Sequence, residues 1–72
     1  MKKSLFHVRL KELRTQNGLA QEKLAKILNT PRSTIASWEV GVNAPSVETL
    51  ITLADHFDVS IDYLVGRKEY EE

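Results

Sequence analysis

Apolar residues recur at helical spacing in five segments of this 72-residue chain, and polar or turn-forming residues separate the segments. The first segment predicts a helix over residues 5–17, with Ser4 as its N-cap and Gly18 ending it in the left-handed conformation. The second predicts a helix over residues 21–28. Asn29 is expected to turn the chain after it, because Asn adopts the left-handed conformation more readily than most residues.

Three further helices are predicted by caps and apolar stripes in the rest of the chain. Thr30 is expected to cap the third helix, with Pro31 in its first turn and Gly41 at its end. Ser46 caps the fourth helix and Ser60 the fifth, which Gly66 closes. The apolar stripes of these helices are Ile35 and Trp38, then Leu50, Leu53, Ala54 and Phe57, then Ile61 and Leu64.

The predicted fold class is therefore all-α, a compact bundle of five helices. The length of the chain suits a single domain. We place this domain at residues 1–66 and expect the polar C-terminal tail, residues 67–72, to be frayed.

The composition argues against several classes of function. The chain has no cysteine, which excludes disulfides and thiolate metal sites and fits a reducing compartment. No apolar run is long enough to span a bilayer, so we expect a cytoplasmic protein without a membrane partner. His7 and His56 are expected at the surface and lack metal-ligand spacing, and no nucleophile–base set or glycine-rich phosphate loop is present. We therefore expect no enzyme, no cofactor, no metal and no small-molecule substrate.

Charge is unevenly distributed although the formal net charge is zero. Residues 1–32 contain eight Lys or Arg and two Glu, whereas residues 33–66 contain five acidic residues and no Lys or Arg. A basic half of this kind favours a polyanionic partner, and an acidic rear face would orient its approach. An ordinary solvated surface would carry the same charges, so the pattern alone leaves both interpretations open.

The second and third predicted helices are typical of a helix-turn-helix. The small side chain of Ala25 would let the two helices cross closely, and Asn29 suits the tight turn. On the side away from Ile35 and Trp38, the third helix carries polar or small residues, so it could enter the major groove of DNA. A generic αα-hairpin whose outer face meets only water explains the same spacing equally well.

Four segments together resemble the lambda-repressor-like helix-turn-helix family, which includes phage repressors, Cro proteins and Xre-type transcriptional regulators. They read LKELR at 10–14, GLAQEKLAKIL at 18–28, RSTIASWEVG at 32–41 and PSVETLITLADHFDVSIDYLVG at 45–66. The resemblance implies a sequence-specific transcriptional regulator, most often a repressor. It would bind double-stranded DNA at an inverted-repeat operator as a homodimer, with its third helix in the major groove.

The resemblance also implies which residues contact DNA. Gln21, the first residue of the second helix, is expected to bind a phosphate, and Arg32 is expected to read guanine. Ser33 and Ser37 are either base-reading positions or small spacers. The remaining candidates for DNA contact are Pro31 through apolar contact, Thr34, Asn43 and Arg14, with Lys2, Lys3 and Arg9 as possible further phosphate contacts or parts of a disordered arm.

The resemblance implies an ion pair, and the fifth helix offers a candidate dimer surface. Arg14 and Glu39 are expected to form an ion pair that ties the first helix to the end of the third. Tyr63 and Val65 are the candidates for a dimer surface, whereas Leu64 between them is expected in the core.

The chain departs from the family pattern at three places. Ala20 replaces the usual Thr or Ser before Gln21, and Pro31 replaces a capping Ser. After the third helix, Val40, Val42 and Asn43 stand where similar proteins carry Lys or Arg, so we expect modest affinity and a shallow salt dependence. With Trp38, the two valines could instead form an apolar spot for a regulatory protein partner.

The alternatives to an autonomous transcriptional regulator are a protein-interaction module such as an antitoxin, or the DNA-binding fragment of a longer repressor.

Overall fold

The computed structural model describes residues 4–69, and within that range it contains five α-helices and no β-strand. The helices are α1 (Phe6–Gln16), α2 (Gln21–Ile27), α3 (Arg32–Glu39), α4 (Val47–Phe57) and α5 (Ile61–Val65). The predicted all-α fold of five helices is therefore confirmed. The first helix is one residue shorter at each end than predicted, and the second is one residue shorter at its C-terminus. None of the helices between residues 4 and 69 has the length and hydropathy that crossing a membrane requires.

One apolar core joins all five helices. It consists of Phe6, Leu10, Leu13, Leu24, Ala25, Ile35, Trp38, Leu53, Ala54 and Leu64. Leu64 is fully buried in this core, as expected. Trp38 is buried as well and meets the ring of Phe6 edge-to-face, with ring centres 6.3 Å apart. Although this ring packs α3 on α1, Trp38 also lines a surface pocket together with Val40 and Val42, the two residues with which it was expected to form an apolar spot.

The predicted turn residues adopt the expected backbone conformations. Asn29 has a φ of 53°, and the glycines at the predicted helix ends are also left-handed. The hydroxyl oxygens of Ser46 and Ser60 accept hydrogen bonds from the backbone N–H groups of Thr49 and Tyr63 and thereby cap α4 and α5. Asp58, at the end of α4, has a φ of 56° and was not singled out from the sequence.

Two predicted N-caps are wrong. Pro31, not Thr30, is the N-cap of α3, because the carbonyl of Pro31 accepts the first intrahelical bond from Thr34 at 3.0 Å. The N–H of Thr30 donates to Ala25 and so belongs to the turn after α2. Leu5 is the N-cap of α1, although the hydroxyl of Ser4 accepts a bond from Phe6 at the same helix start.

The described part of the C-terminal tail, which was expected to be frayed, is hydrogen-bonded to the helices. The N–H groups of Arg67 and Lys68 donate to the carbonyl oxygen of Asp62. Arg9 is buried and donates to the carbonyl oxygens of Tyr63 and Lys68, at 2.6 and 2.9 Å. Arg9 is thus engaged inside the fold, which contradicts its suggested phosphate contact. The other suggested basic contacts, Lys2 and Lys3, and the last three residues of the tail lie outside the described residues.

Candidate nucleic-acid interface

Helix α3 has one buried side and one accessible side. Its buried residues are Ile35, Trp38 and Glu39. On the accessible side, Arg32 and Ser33 are exposed in the first turn, and Ser37 follows half-buried one turn after Ser33. Residues four apart share a face of a helix, so Ser33 and Ser37 form a strip along α3, and Arg32 lies beside its start in the first turn. Pro31 is exposed at the start of this strip, and Thr34 is half-buried beside it.

The turn between α2 and α3 brings the two helices into close contact. Ala25 is buried at the crossing, which agrees with the reason given for a small side chain there. After Asn29 reverses the chain, the N–H of Thr30 donates to the carbonyl oxygen of Ala25 at 2.9 Å. As a result, the first residue of α2, Gln21, lies within hydrogen-bonding distance of the first residue of α3, Arg32. The side chains of the first residues of α2 and α3 therefore meet at the protein surface.

Arg14 and Glu39 are joined by a buried, two-pronged ion pair. The Arg14 Nε lies 2.6 Å from Glu39 Oε2, and a second guanidinium nitrogen lies 3.0 Å from Oε1. The same guanidinium donates to the carbonyl oxygen of Leu19 at 2.7 Å. The pair therefore fixes α1, the turn before α2 and the end of α3 relative to one another.

The surroundings of Glu39 favour its ionised form. Burial of the carboxylate acts to raise its pKa, but hydrogen bonds from Arg14 and Gln21 and the positive charges of Arg14 and Lys11 outweigh that effect. The pKa of Glu39 consequently lies below its ordinary value of 4.5. The hydrogen bond to Glu39 raises the pKa of Arg14, against a smaller opposing effect of burial. Both partners are therefore charged at neutral pH.

A chain of hydrogen bonds extends from this ion pair to the protein surface. The side-chain amide of Gln21 donates to Glu39 Oε1 at 3.0 Å, and its carbonyl oxygen accepts a 3.0 Å bond from Arg32. The sequence predicted a role for each of these residues but not the bonds that connect Gln21 to its two partners. Such bonds link positions distant in the chain, and no local sequence signal points to them.

The segment after α3 is uncharged and partly apolar. Asn43 donates a 2.7 Å hydrogen bond to the hydroxyl oxygen of Ser37, so two predicted contact residues meet. Val40 and Val42 are 71% and 73% exposed. His7 is half-buried rather than exposed as expected, because its ring lies close to Gly41. A Cβ at position 41 would be 3.6 Å from that ring.

The two candidate dimer residues belong to α5, which packs against α1 and α4. Tyr63 is half-buried against the core, and the guanidinium of Arg9 covers its ring. Val65 is half-buried, and its carbonyl oxygen accepts the N–H of Leu5 at 3.0 Å. Both side chains therefore retain only part of their surface for a partner.

Comparison with known proteins places this geometry in a family. The helix-turn-helix family model HTH_3 matches residues 10–64. The chain is 39% identical over 64 residues to the HTH-type transcriptional activator BcrR of Enterococcus faecalis, covering 89% of this chain and 31% of BcrR. It is also 39% identical over 64 residues to the HTH-type transcriptional regulator AnsR of Bacillus subtilis, covering 89% of this chain and 55% of AnsR. This chain thus spans only about a third to a half of these curated relatives.

The fold has a close counterpart among solved structures. The crystal structure of a transcriptional regulator from Listeria innocua superposes with a TM-score of 0.87 at 35% identity, over 99% of this chain and 64% of that one. The relatives and the fold are those of DNA-binding transcriptional regulators, not of enzymes. The chain belongs to the Xre and lambda-repressor-like family of helix-turn-helix transcriptional regulators.

Proposed function

We propose that this helix-turn-helix regulator represses transcription by binding an inverted-repeat operator as a homodimer, with α3 in the major groove of each half-site. The observation that carries the proposal is the surface hydrogen bond between Gln21 and Arg32, the first residues of α2 and α3. A residue that binds a DNA phosphate fixes the register of the protein on the duplex, and a residue that contacts a base edge reads the sequence. Gln21 and Arg32 would supply these two roles next to each other.

The residue roles follow from the accessible strip of α3. Arg32 is the base reader, because its guanidinium matches the O6 and N7 acceptors of guanine. Gln21 binds a backbone phosphate with its side chain and the free N–H groups of its helix start. Ser33 and Ser37 are short enough to let the helix approach the bases, and Asn43 supports Ser37.

The remaining expected contacts lie at the edges of that strip. Pro31 would make apolar contact with a thymine methyl, and Thr34 would bond to a phosphate or to the protein backbone. Arg14 is committed to Glu39 and Leu19, so its contribution to binding is positive potential and geometry.

Dimerisation supplies the specificity that one small domain lacks. A single module reads few base pairs, whereas two modules about one helical turn apart read two half-sites. Tyr63 and Val65 remain our candidates for the contact between copies. Repression would be steric, through occupation of promoter DNA in the cytoplasm. One relative is named an activator. Whether this chain represses or activates transcription would therefore depend on where its operator lies relative to the promoter.

Selection of binding sites from random duplex DNA tests this proposal. Enrichment of an inverted repeat with guanine at a fixed place in each half-site is expected, and Arg32→Ala should abolish the guanine preference. Arg67→Ala is the matched control, because Arg67 is also an exposed arginine but follows α5. No enrichment with the unaltered protein would overturn the proposal.

One observation favours a second function, a protein-interaction module such as an antitoxin. Val40 and Val42 expose most of their surface beside the strip, where apolar side chains gain nothing from phosphates. A protein partner that binds there should be lost on Val42→Asp while Arg32→Ala leaves its binding intact. If Val42→Asp keeps the partner and Arg32→Ala loses it, the exposed valines are not a protein-binding site.

A further inference from the structure

We propose that Glu39, although it is buried, is a positioning residue for base recognition. It sets the orientation of the Gln21 side-chain amide, and that amide in turn holds the guanidinium of Arg32 for guanine. This inference rests on the proposed function, because it assigns the origin of the specificity of the same DNA-binding surface.

The first step is the saturation of the Glu39 carboxylate. Oε2 accepts from Arg14, and Oε1 accepts from both Arg14 and Gln21. Only 3% of the Glu39 side chain is exposed, so it is placed to act on DNA through its neighbours and not by direct contact. Besides holding the end of α3 through Arg14, Glu39 can affect recognition through its hydrogen bond from Gln21.

The second step is the chemistry of the amide. An ionised carboxylate only accepts hydrogen bonds, so Gln21 must turn its NH2 group toward Glu39 and its oxygen away. A guanidinium only donates, so Arg32 can bond to Gln21 only when that oxygen faces it. A rotated amide would put oxygen against the carboxylate and NH2 against the cation, and both contacts would be repulsive. The negative charge of Glu39 therefore selects one of the two orientations.

The third step is the consequence for recognition. With one N–H of Arg32 bound to Gln21, the remaining guanidinium donors stay available for guanine O6 and N7. The second N–H of the Gln21 amide stays available for a phosphate. A guanidinium fixed before binding loses less conformational freedom on contact, so the benefit falls on the guanine contact and not on phosphate contacts in general.

The test compares guanine discrimination among variants, defined as the affinity for the selected operator divided by that for the operator with adenine at the Arg32 position. Glu39→Gln keeps the size of the side chain but removes the charge, so both amide orientations become available. We expect discrimination to fall about tenfold, a part of what a bidentate contact supplies. Affinity for non-specific DNA should change much less than discrimination, because the Gln21 amide is only one of the phosphate contacts that support such binding.

Two more variants separate positioning from folding. Arg14→Lys weakens the ion pair but leaves Glu39 ionised, so it should lower stability while discrimination is retained. Gln21→Met removes the amide and leaves the ion pair intact, so it should lose discrimination even if Glu39→Gln fails to fold. A merely structural Glu39 would instead give equal discrimination in folded Glu39→Gln and the unaltered protein, and that result overturns the inference alone. An unaltered protein without guanine preference overturns both the inference and the proposed function.

Discussion

The guanidinium of Arg9 lies 4.1 Å from the centre of the Tyr63 ring and donates a 2.6 Å hydrogen bond to the carbonyl oxygen of the same residue. It also donates to the carbonyl oxygen of Lys68 at 2.9 Å. A cation over an aromatic face and bonded to carbonyl oxygens is well compensated for its burial. Arg9 therefore links α1 to α5 and to the segment after it, and its charged group is bonded within the protein.

Replacing Arg9 by methionine should destabilise the domain without affecting phosphate contacts. Methionine keeps the apolar stem but loses the ring contact and the bonds, which should cost about 2–3 kcal/mol. Urea unfolding measures this loss, and Arg67→Met, at an exposed position, is the control and should stay within about 0.5 kcal/mol. The salt dependence of DNA binding should be unchanged. If the slope of log affinity against log salt became shallower by about 0.9 in the variant, Arg9 would be shown to bind a phosphate.

Stability should fall in acid because the pKa of Glu39 is lower in the folded protein than its ordinary value of 4.5. A carboxyl with a lowered pKa contributes fully above the unfolded value, and that contribution is lost as the pH falls from about 4.5 through the folded pKa. Glu39→Gln leaves Arg14 buried without its counter-charge and should cost about 3 kcal/mol at pH 7.

The measurement is urea unfolding between pH 7 and pH 3. The difference in free energy of unfolding between the unaltered protein and Glu39→Gln should narrow as the pH falls below 4.5. Glu48→Gln is the control, because Glu48 is exposed on α4. A difference that stays constant with pH would show that the carboxylate charge does not contribute.

Alanine should be tolerated far better at Gly18 than at Gly66. Both glycines have positive φ, 68° and 92°, so each substitution strains the backbone by about 1–2 kcal/mol. A Cβ at Gly18 meets nothing within 4 Å, whereas one at Gly66 would lie 2.7 Å from the Leu5 Cβ. Thermal unfolding should therefore show a moderate loss for Gly18→Ala and a much larger one for Gly66→Ala. Equal losses would mean that α1 shifts freely away from Gly66.

Local signals in the sequence predicted most of the fold. Serine caps, left-handed turn residues and apolar spacing act within a few positions, and Ser46, Ser60 and Asn29 behave accordingly. Thr30 was misassigned because a proline can itself occupy the N-cap position, where it lacks only a side-chain acceptor. The missing acceptor is compatible with the fold because α3 is secured by its buried residues.

Long-range polar contacts could not be predicted in the same way. The sequence shows Arg9 only as one of several basic residues near the N-terminus, whereas its partners lie more than fifty positions away. The ion pair of Arg14 and Glu39 was expected only through family resemblance, and the link through Gln21 was not expected at all. Which polar groups meet inside a fold depends on how the helices pack, and periodicity does not determine that.

Serine at position 20 should stabilise α2. Ala20 is the N-cap residue, with an extended backbone and no side-chain acceptor for the free N–H groups of the first turn. A serine hydroxyl there would supply that acceptor, as Ser46 does in α4, and should add about 1 kcal/mol. Urea unfolding of Ala20→Ser measures the gain, and Ser46→Ala should show a loss of similar size. No gain at position 20 would indicate that water already satisfies this helix start.

A lysine at position 42 should strengthen DNA binding and make it more sensitive to salt. Val42 is 73% exposed in the uncharged segment after α3, so a lysine there would not disturb the core. If this segment lies along the DNA backbone, the added cation displaces one counterion, and the slope of log affinity against log salt steepens by about 0.9. Titration of the selected operator between about 50 and 200 mM salt measures that slope. Guanine discrimination should not change, since a phosphate contact carries no sequence information.

Thr52→Lys is the control for Val42→Lys. It adds the same charge on the exposed side of α4 and should steepen the slope less. Equal effects of the two lysines would mean that overall charge, and not the path of the DNA past α3, controls the affinity.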